Sequence, residues 1–473
     1  MTKRNLVLLI IILVIAIIGV FIFLYFNQGT GAGTGGENTQ GINFFSIFNP
    51  FGSGKKATQT TIPPANISGY QPPPTSPTEN VVKNLKLKKV SSMPIAGFTI
   101  FTKERLKPVL IPAPIDTTTN PTPPLPLSGE GASPVAPPAK GGSGGLKKIP
   151  VKPTPPLTEF MTALRYVERA TGNVYQTFVD KIEEKRFSTT MIPKVYEAYF
   201  GDKGESVVMR YLKIDGRTIQ TFVGGLPKEY LGADTTVSNE IKGSFLPENI
   251  TDLSLSSDAQ NIFYLFEVGD NAVGTTSNLL SGKKVQTITS PFTEWLSSWP
   301  NSKMITLTTK PSSGVPGYMY MTDPSGKILT KIFGGINGLT TLTSPNGKLV
   351  LFGDDNLSLR VYHMDTKASD LLGIRTLPEK CAWGGASDVV YCAVPKTTSA
   401  SLYPDAWYQG EVSFSDNIWK IDIKTGNATT IVDPLTVEGG EEVDGVKLAM
   451  DPSENYLFFV NKKDSFLWEL QLK

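Results

Sequence analysis

The chain has 473 residues, enough for two or three average domains or for one large repeat domain. Lys and Arg together number 45 and Asp and Glu number 43, so the net charge is +2. A chain so nearly neutral has no strong positive field to attract a phosphate backbone. The charge therefore argues against a general nucleic-acid binder, and we expect no nucleic-acid partner.

A long apolar run follows the first few residues. Leu6 to Phe26 are 21 consecutive uncharged residues, and such a helix spans about 30 Å of hydrocarbon. Lys3 and Arg4 precede the run, whereas the stretch after it is almost uncharged. The positive-inside rule predicts a cytoplasmic N-terminus at 1–5, a transmembrane helix at 6–26 and an extracytoplasmic remainder, in the periplasm or at the cell surface of a bacterium. A cleaved signal peptide is the alternative, with a shorter apolar core that ends at small residues.

Two segments have the composition of disordered chain. Residues 27–81 are rich in Gly, Thr, Pro, Ser and Asn without a sustained apolar period, so we expect a flexible tether. Residues 112–156 hold 13 prolines, and proline cannot donate to a β-ladder. We expect a disordered insertion at about 106–158 inside a folded domain at 82–473. Polyproline recognition by a partner and an inert surface insertion are both open interpretations of it.

Strand-like patterns lie on both sides of the insertion. Leu85 to Val90 alternates apolar and polar side chains, and Phe98 to Phe101 is a short apolar run. Residues 164–167, 174–178 and 185–188 have the β-rich composition of further strands. Phe98 to Phe101 and the three later segments predict a four-stranded unit whose first two strands are joined by the insertion.

A turn followed by a β-rich run recurs between positions 200 and 458. The clearest copy is Ser344-Pro345-Asn346-Gly347-Lys348, followed by Leu349 to Leu351. Looser copies begin at Phe200, Ser257, Trp299, Trp383 and Asp451. Hairpins spaced roughly 40 to 65 residues apart, with several short strands in each period, predict a β-propeller. With the unit before the first copy the count is seven blades, or six if that unit is degenerate.

The last repeat supplies only three strands, at 446–450, 456–460 and 466–470, before the sequence ends. We predict that Leu85 to Val90 provides the missing outer strand. Pairing the first strand with the last three converts an open array with two exposed edges into a ring. The predicted fold is an all-β, seven-bladed propeller closed by an N-terminal strand, preceded by the transmembrane helix and the tether.

Cys381 and Cys392 are the two cysteines of the chain, and they flank the turn at 384–387. In one hairpin they would face each other across two strands, where a directly opposed pair permits a disulfide. An oxidising exterior favours the bond. Two buried free thiols, packed as small apolar side chains, are the alternative.

Loop length can be assigned to the two faces of a propeller. Connections between the first and second strands and between the third and fourth strands lie on one face, and the other connections lie on the opposite face. We place the long connections at 223–249, 268–276, 310–317, 395–416 and 433–445 on the face opposite the insertion. Long loops on a rigid scaffold usually carry binding sites.

The last two of these connections supply the candidate binding residues. The first is unusually aromatic, and Tyr and Trp dominate interface hot spots and stack on sugars. The second is acidic and includes Asp444. A packed loop whose aromatics cap the channel, and a solvated run of charge, are the alternatives. The candidate residues are Tyr403, Asp405, Trp407, Tyr408, Glu411, Glu438, Glu441 and Glu442.

The sequence lacks the usual catalytic and metal-binding patterns. His363 is the only histidine, and it falls in a predicted outer strand, far from the channel. One histidine and two opposed cysteines provide no zinc ligand set, and the chain has neither a calcium loop nor a phosphate-cradling glycine loop. We expect no metal, no cofactor and no catalytic residue of these kinds. A glycosidase that uses paired carboxylates needs no histidine, so that class stays open.

Several of these segments resemble known proteins. The turns at 344–348 and 451–453 resemble the WD-like repeats of periplasmic Tol-type β-propellers, over about residues 85–473. Other segments are similar to membrane-anchored, functionally uncharacterised proteins of small-genome bacteria, namely 165–172, 380–383 and 403–419. The resemblance implies protein–protein interaction in the cell envelope and brings no catalytic residue. Several turns here lack the Asp-Gly pair of such repeats.

These observations predict a membrane-anchored module that binds an envelope protein or glycan, without catalysis. The first alternative is a propeller glycosidase or lyase that uses channel carboxylates, which a cluster of three or more Asp, Glu or Arg at the channel mouth would favour. An apolar or plugged channel would favour binding. The second alternative is a structural envelope spacer, which a smooth, uncharged face would favour.

Overall fold

The computed structural model describes residues 85–107, 157–229, 239–326 and 328–473. These residues form 28 strands in seven four-stranded antiparallel sheets. The predicted transmembrane helix and tether lie outside the described residues, as does most of the insertion. Within the described part of the chain, no helix is both long and apolar enough to span a bilayer.

Each sheet is one blade, and its strands run in chain order from the innermost strand outward in the first six blades. Blade one consists of β2 (Ile95–Leu106), β3 (Thr158–Glu168), β4 (Val174–Phe178) and β5 (Lys185–Arg186). Blade two consists of β6 (Val195–Gly201), β7 (Ser206–Leu212), β8 (Ile219–Gly225) and β9 (Lys242–Phe245). Blade three consists of β10 (Asp252–Leu255), β11 (Asn261–Val268), β12 (Asn271–Asn278) and β13 (Lys284–Ser290).

The next three blades follow the same order. Blade four consists of β14 (Trp295–Asn301), β15 (Met304–Thr309), β16 (Pro316–Thr322) and β17 (Thr330–Asn337). Blade five consists of β18 (Thr340–Thr343), β19 (Leu349–Gly353), β20 (Ser358–His363) and β21 (Ser369–Arg375). Blade six consists of β22 (Cys381–Trp383), β23 (Val389–Pro395), β24 (Asp416–Asp422) and β25 (Ala428–Val432).

Blade seven is built from both ends of the described chain. Its inner strands are β26 (Gly445–Met450), β27 (Tyr456–Asn461) and β28 (Leu467–Gln471), and β1 (Leu87–Lys89) is the outer strand. In the antiparallel pairing of β1 with β28, Leu87 lies opposite Leu470 and Lys88 opposite Glu469. The prediction of seven blades closed by an N-terminal strand is confirmed.

Each of the six repeated turns joins the first strand of a blade to the second, as predicted. Four of them place one residue in the left-handed backbone region, namely Ala259, Gly347, Ser387 and Glu454. In each of these four, the backbone N–H of that residue donates to the carbonyl three residues earlier. Only one of these four residues is glycine, the residue that adopts this conformation most readily. The shared feature is therefore a backbone geometry, which explains why the sequence repeat is loose.

The blades pack on one another through side chains that alternate along their strands. In β27, Leu457 and Phe459 belong to the cluster shared with blade six, while Phe458 packs with Leu164 and Tyr166 of blade one. A period of two sends successive side chains to opposite faces of a sheet. Among the described residues, seven apolar clusters of this kind fill the seven contacts between neighbouring blades. The ring is thus closed by core packing as well as by β1.

Three of the five predicted connections are both long and on the expected face. Residues 310–315 and 396–415 join second strands to third strands, and 433–444 joins blade six to blade seven. The other two predictions are wrong in different ways. Residues 226–241 join the third and fourth strands of blade two, so this connection lies on the same face as the one between β2 and β3. The connection between β11 and β12 is on the expected face, but it is a tight turn at 269–270 because Asn271–Asn278 form β12.

Two strands without apolar alternation caused these errors. β9 has the sequence Lys-Gly-Ser-Phe with all four residues exposed, and β12 is made largely of Thr, Ser, Gly and Asn. Neither has the period-two apolar pattern from which a strand is inferred. The ends of β2 and β3 were missed for the same reason, because charged residues occupy 103–105 on the hairpin arm that leads to the insertion.

Cys381 and Cys392 lie directly opposite each other in the register of β22 and β23. The structure joins them in a disulfide with an S–S distance of 2.13 Å. Both belong to the apolar cluster between blades five and six. The bond therefore crosses the two inner strands of blade six inside the core.

Candidate functional site

The aromatic connection at 396–415 packs its rings onto the propeller. Tyr403 and Trp407 are 4% and 3% exposed, and they share a cluster with Phe414. Leu357 and Leu377 of the neighbouring blade complete this cluster. Such burial matches the packed-loop alternative, and it leaves Tyr403 and Trp407 almost no surface for a contact patch.

The other candidates in this connection lie nearer the surface. Glu411 and Tyr408 are exposed, and the Tyr408 hydroxyl donates to Glu379. Asp405 is half-buried, and its Oδ2 accepts a hydrogen bond from the Ser313 backbone N at 2.6 Å. Because Ser313 belongs to blade four, the connection reaches across the face from blade six. The Asp405 carboxylate helps to hold it there.

A buried ion cluster fastens the same connection to the acidic one. The side chains of Lys380, Asp416 and Asp444 have no exposed surface. Lys380 Nζ lies 2.8 Å from Asp416 Oδ2 and also pairs with Asp444 Oδ1. Asp444 Oδ2 accepts from Trp407 Nε1 at 3.0 Å and from the Phe414 backbone N at 3.1 Å. Asp444 is therefore not part of a solvated run of charge, because it is buried and paired with Lys380 inside the fold.

The predicted acidic residues on the 433–444 connection do not converge. Glu441 pairs with Lys89 at 2.7 Å, Glu442 pairs with Lys463 at 2.5 Å, and Glu438 is exposed. The described residues contain no group of three or more His, Cys, Asp or Glu that could hold a metal ion. Glu441 and Glu442 thus form separate surface ion pairs, which contribute little to stability.

His363 lies on β20, the third strand of blade five, as the sequence indicated. Its Nε2 lies 3.0 Å from Asp370 Oδ2 on the outermost strand of the same blade. The pair is far from the innermost strands in the order of the sheet. Among the described residues, no nucleophile is paired with this histidine, so no triad is formed there.

A charged cluster does lie on the inner strands. Glu197 on β6 pairs with Arg210 on β7 at 2.5 Å. Asp252 opens β10 and accepts a hydrogen bond from the Ser297 backbone N at 2.6 Å. Burial raises the pKa of Asp252 and lowers the pKa of Lys447 on β26, and the charge of Glu197 acts on both groups. The centre of the ring is therefore polar, with two carboxylates and an arginine close together.

A groove of about 1340 Å³ lies between blades one and two, on the face that carries the insertion. One wall is the arm of β2 at 101–106, and the other is formed by β8, β9 and the residues that follow β8 up to Glu229. The lining includes seven Lys or Arg side chains and four Asp or Glu side chains. That excess of positive charge exceeds the net charge of +2 of the whole chain, so the groove concentrates the positive potential of the protein.

Two of these cations meet a single carboxylate across the groove. Lys103 of β2 forms an ion pair with Glu229 of blade two, and Arg165 Nη2 of β3 lies 3.6 Å from the same Glu229 oxygen. Arg165 is 5% exposed, and its Nε donates to Gln176 Oε1 at 2.9 Å. Its guanidinium also lies 4.0 Å from the ring centre of Phe187. The surroundings thus fix the arginine in place before any ligand arrives.

The two cations also act on each other. Burial, followed by the charges of Arg165 and Lys185, lowers the pKa of Lys103 to about 8. Burial lowers the pKa of Arg165 to about 10. The charge of Glu205 opposes the shift of Arg165 because a close negative charge favours the charged form of a base. The positive charge of Lys103 and Arg165 together therefore exceeds the negative charge of the single Glu229 carboxylate between them.

The apolar part of the groove lies mainly at its rim. Leu106 and Leu280 line the groove and are 39% and 71% exposed, and Phe245 is exposed at the end of β9. Two aromatic rings line the described groove, Phe101 and Phe178. Arg165 lies 4.9 Å from the centre of the first ring, and Arg105 lies 4.9 Å from the centre of the second. A guanidinium therefore covers one face of each ring.

The sequence alone did not reveal this groove. Its residues are scattered from Phe101 to Gly282 along the chain, and only the ring geometry brings them together. A local signal did exist in Lys103-Glu104-Arg105, which continues the alternating pattern of β2 with charges in place of apolar residues. That pattern is typical of a strand with one solvated face.

Comparison with known proteins finds no family and only distant structural likenesses. No family model matches the chain, and no curated protein matches it in sequence. The chain is similar to an oligogalacturonate lyase in complex with manganese, at 8% identity and a TM-score of 0.45 over 66% of this chain and 85% of that one. The same enzyme from Vibrio parahaemolyticus is 6% identical, with a TM-score of 0.45 over 66% and 86%. A functionally unknown protein from Desulfotomaculum acetoxidans is 13% identical, with a TM-score of 0.41 over 64% and 89%. These likenesses assign the chain to no family, and its own strand order makes it a seven-bladed β-propeller.

Proposed function

We propose that the chain is a membrane-anchored, extracytoplasmic propeller that binds an envelope protein in the groove between blades one and two. The groove itself carries this proposal, because it combines a large concave surface, an excess of positive charge and an exposed apolar rim. Since the aromatic candidates Tyr403 and Trp407 are buried, the binding surface moves to the face that carries the insertion.

The anchor and the compartment belong to the same proposal. The apolar run from Leu6 to Phe26, preceded by Lys3 and Arg4, supports a span with the propeller outside the cytoplasm. The disulfide between Cys381 and Cys392 also supports an oxidising compartment.

Photo-crosslinking in intact cells tests the binding surface. A photoreactive residue replaces Leu280 at the rim of the groove, and in a matched variant it replaces Leu435, which is also exposed but lies on the opposite face. We expect the Leu280 variant to capture an envelope protein and the Leu435 variant to capture none. Capture from Leu435 alone would place the binding site on the opposite face, which carries the 396–415 and 433–444 connections. Capture from neither variant would favour a structural spacer.

The charged inner cluster supports one second candidate, a glycosidase or lyase that acts in the channel. Glu197 and Asp252 are near enough for the charge of Glu197 to act on Asp252, whose pKa is raised by burial. Two neighbouring carboxyls, one of which has its pKa raised by burial, have the arrangement from which an acid and a base can be drawn. Incubation with neutral and acidic oligosaccharides, followed by a reducing-end assay, tests this candidate. Turnover that Glu197→Gln abolishes would establish it, and no turnover would remove it.

A further inference from the structure

We infer that Lys103 and Arg165 bind an acidic side chain of an extended partner segment, and that Glu229 occupies this position in the free protein. The inference rests on the proposed function and names the chemistry of the partner at the same groove. Lys103 and Arg165 both belong to blade one, whereas the Glu229 carboxylate that pairs with them belongs to blade two. An acidic side chain of a bound partner would make the same contacts.

The cationic position is built rather than incidental. Arg165 is held by Gln176 Oε1 at 2.9 Å and by the Gly204 carbonyl at 2.5 Å, and it stacks between Phe101 and Phe187. A guanidinium fixed in this way loses little conformational freedom when it binds a carboxylate. Lys103 is more exposed, with 17% of its side-chain surface accessible, so a ligand reaches the site from its side.

Glu229 contacts the position from the end of a strand connection. It follows β8 by four residues, on the segment that begins with Leu226, and 16% of its side-chain surface is exposed. Exchange of this carboxylate for that of a ligand keeps both cations paired, so it avoids leaving a buried charge without a partner. The rest of the lining adds five Lys or Arg side chains and three Asp or Glu side chains.

The surroundings fit an extended peptide better than a glycan. Sugar rings bind on exposed aromatic faces, whereas the rings of Phe101 and Phe178 each have one face covered by a guanidinium. All four residues of β9 are exposed, and β9 is the outer strand of blade two. An edge strand offers backbone hydrogen bonds to an added strand. The apolar side chains of Leu106 and Leu280 would accept apolar residues between the acidic ones.

Fluorescence anisotropy tests the inference with the full chain purified in detergent. The probe is a fluorescein-labelled peptide of alternating Glu and Thr, and a peptide of alternating Gln and Thr is the reference. Removing the competing carboxylate with Glu229→Gln should tighten binding of the acidic peptide about tenfold. Lys103→Met should abolish that gain, and Lys103→Arg should retain it. Lys348→Met removes an exposed lysine of the same face in blade five and should change nothing.

Each result decides between alternatives. Equal affinity of the Glu229→Gln variant and the unaltered chain for the acidic peptide overturns the inference, provided that circular dichroism shows both to be folded. Displacement of the peptide by uronic-acid oligomers that bind more tightly identifies a glycan ligand instead and also overturns it. If crosslinking from Leu280 captures a protein in cells but Glu229→Gln leaves peptide affinity unchanged, the inferred partner chemistry is wrong and the proposed binding function is retained. If crosslinking captures nothing while Glu229→Gln still tightens peptide binding, the proposed function is wrong and the binding of an acidic side chain by Lys103 and Arg165 is retained.

Discussion

At the scale of single residues, Glu469 is a buried carboxyl whose protonation should affect the stability of the fold. It lies on β28, is 1% exposed, and its Oε2 has no hydrogen-bond partner among the described residues. Burial raises its pKa from 4.5 to about 7, although the charge of Lys88 opposes the shift. A pKa raised in the folded state means that the fold prefers the protonated acid. Its contribution to stability is complete below pH 4.5 and is lost as the pH rises to about 7.

Glu469→Gln should remove this part of the pH dependence. The free energy of unfolding of the unaltered chain should fall between pH 5 and pH 8, and in the variant the fall should be smaller by about 3 kcal/mol at most, at about 1.4 kcal/mol per pKa unit. Urea denaturation at both pH values measures the difference. Glu183→Gln, which alters an exposed side chain of an ion pair, is the control and should leave the fall unchanged. Equal falls in all three proteins would contradict the prediction.

Residue-scale interactions are also where sequence reasoning failed most clearly. Asp444 was assigned to an acidic surface run because Glu441 and Glu442 precede it. Its partner Lys380 lies 64 residues away in the sequence, and no local pattern connects them. Tyr403 and Trp407 show the same limit, because an aromatic loop has the same composition whether its rings are exposed or packed. Burial depends on which distant elements meet, and only the closed ring determines that.

At the scale of elements, the buried ion cluster decides how firmly the 396–415 connection is held. Lys380→Met would leave Asp416 and Asp444 buried without a counterion. Removing one partner of a buried pair costs about 3 to 5 kcal/mol, far more than the pair itself contributes. We expect a loss of that order in the free energy of unfolding, measured by urea denaturation, and faster proteolysis within the connection.

Two further variants separate charge from packing in this cluster. Lys380→Met combined with Asp444→Asn removes one of the uncompensated charges and should recover part of the loss. Lys310→Met removes an exposed lysine that pairs with Glu294 and should cost less than about 1 kcal/mol. A Lys380→Met variant as stable as the Lys310→Met variant would show that the cluster does not hold the connection.

Elements are also the scale at which sequence prediction worked best. The turn at Ser344 and its looser copies, together with the short strands after them, gave the blades because both signals are local. The closing strand at Leu85 to Val90 was predicted from a count of strands, which is an argument about the whole ring. β9 was missed because its exposed residues have no apolar pattern, and that error placed the 226–241 connection on the wrong face. Because β9 forms one wall of the groove, the groove could not be predicted either.

At the scale of the whole molecule, the ring is closed in two ways that can be separated. Strand β1 pairs with β28, and an apolar cluster joins blade seven to blade one. Deleting 85–90 from the full chain removes the paired strand, the buried Leu87 and one member of the cluster, Val90, but leaves Phe458 and Leu164 in place. Because most of the cluster persists, we expect the deletion variant to fold, with a lower urea midpoint than the unaltered chain.

The same deletion exposes the edge of β28. An unpaired edge strand is a template for pairing with a second chain, so the variant should form dimers or larger species as its concentration rises. Light scattering coupled to size-exclusion chromatography measures this, and an equally long deletion at 60–65 in the predicted tether is the matched control. A deletion variant that keeps both the midpoint and the molar mass of the control would mean that blade packing alone closes the ring. Closure by β1 would then contribute nothing measurable to stability or to protection of the edge.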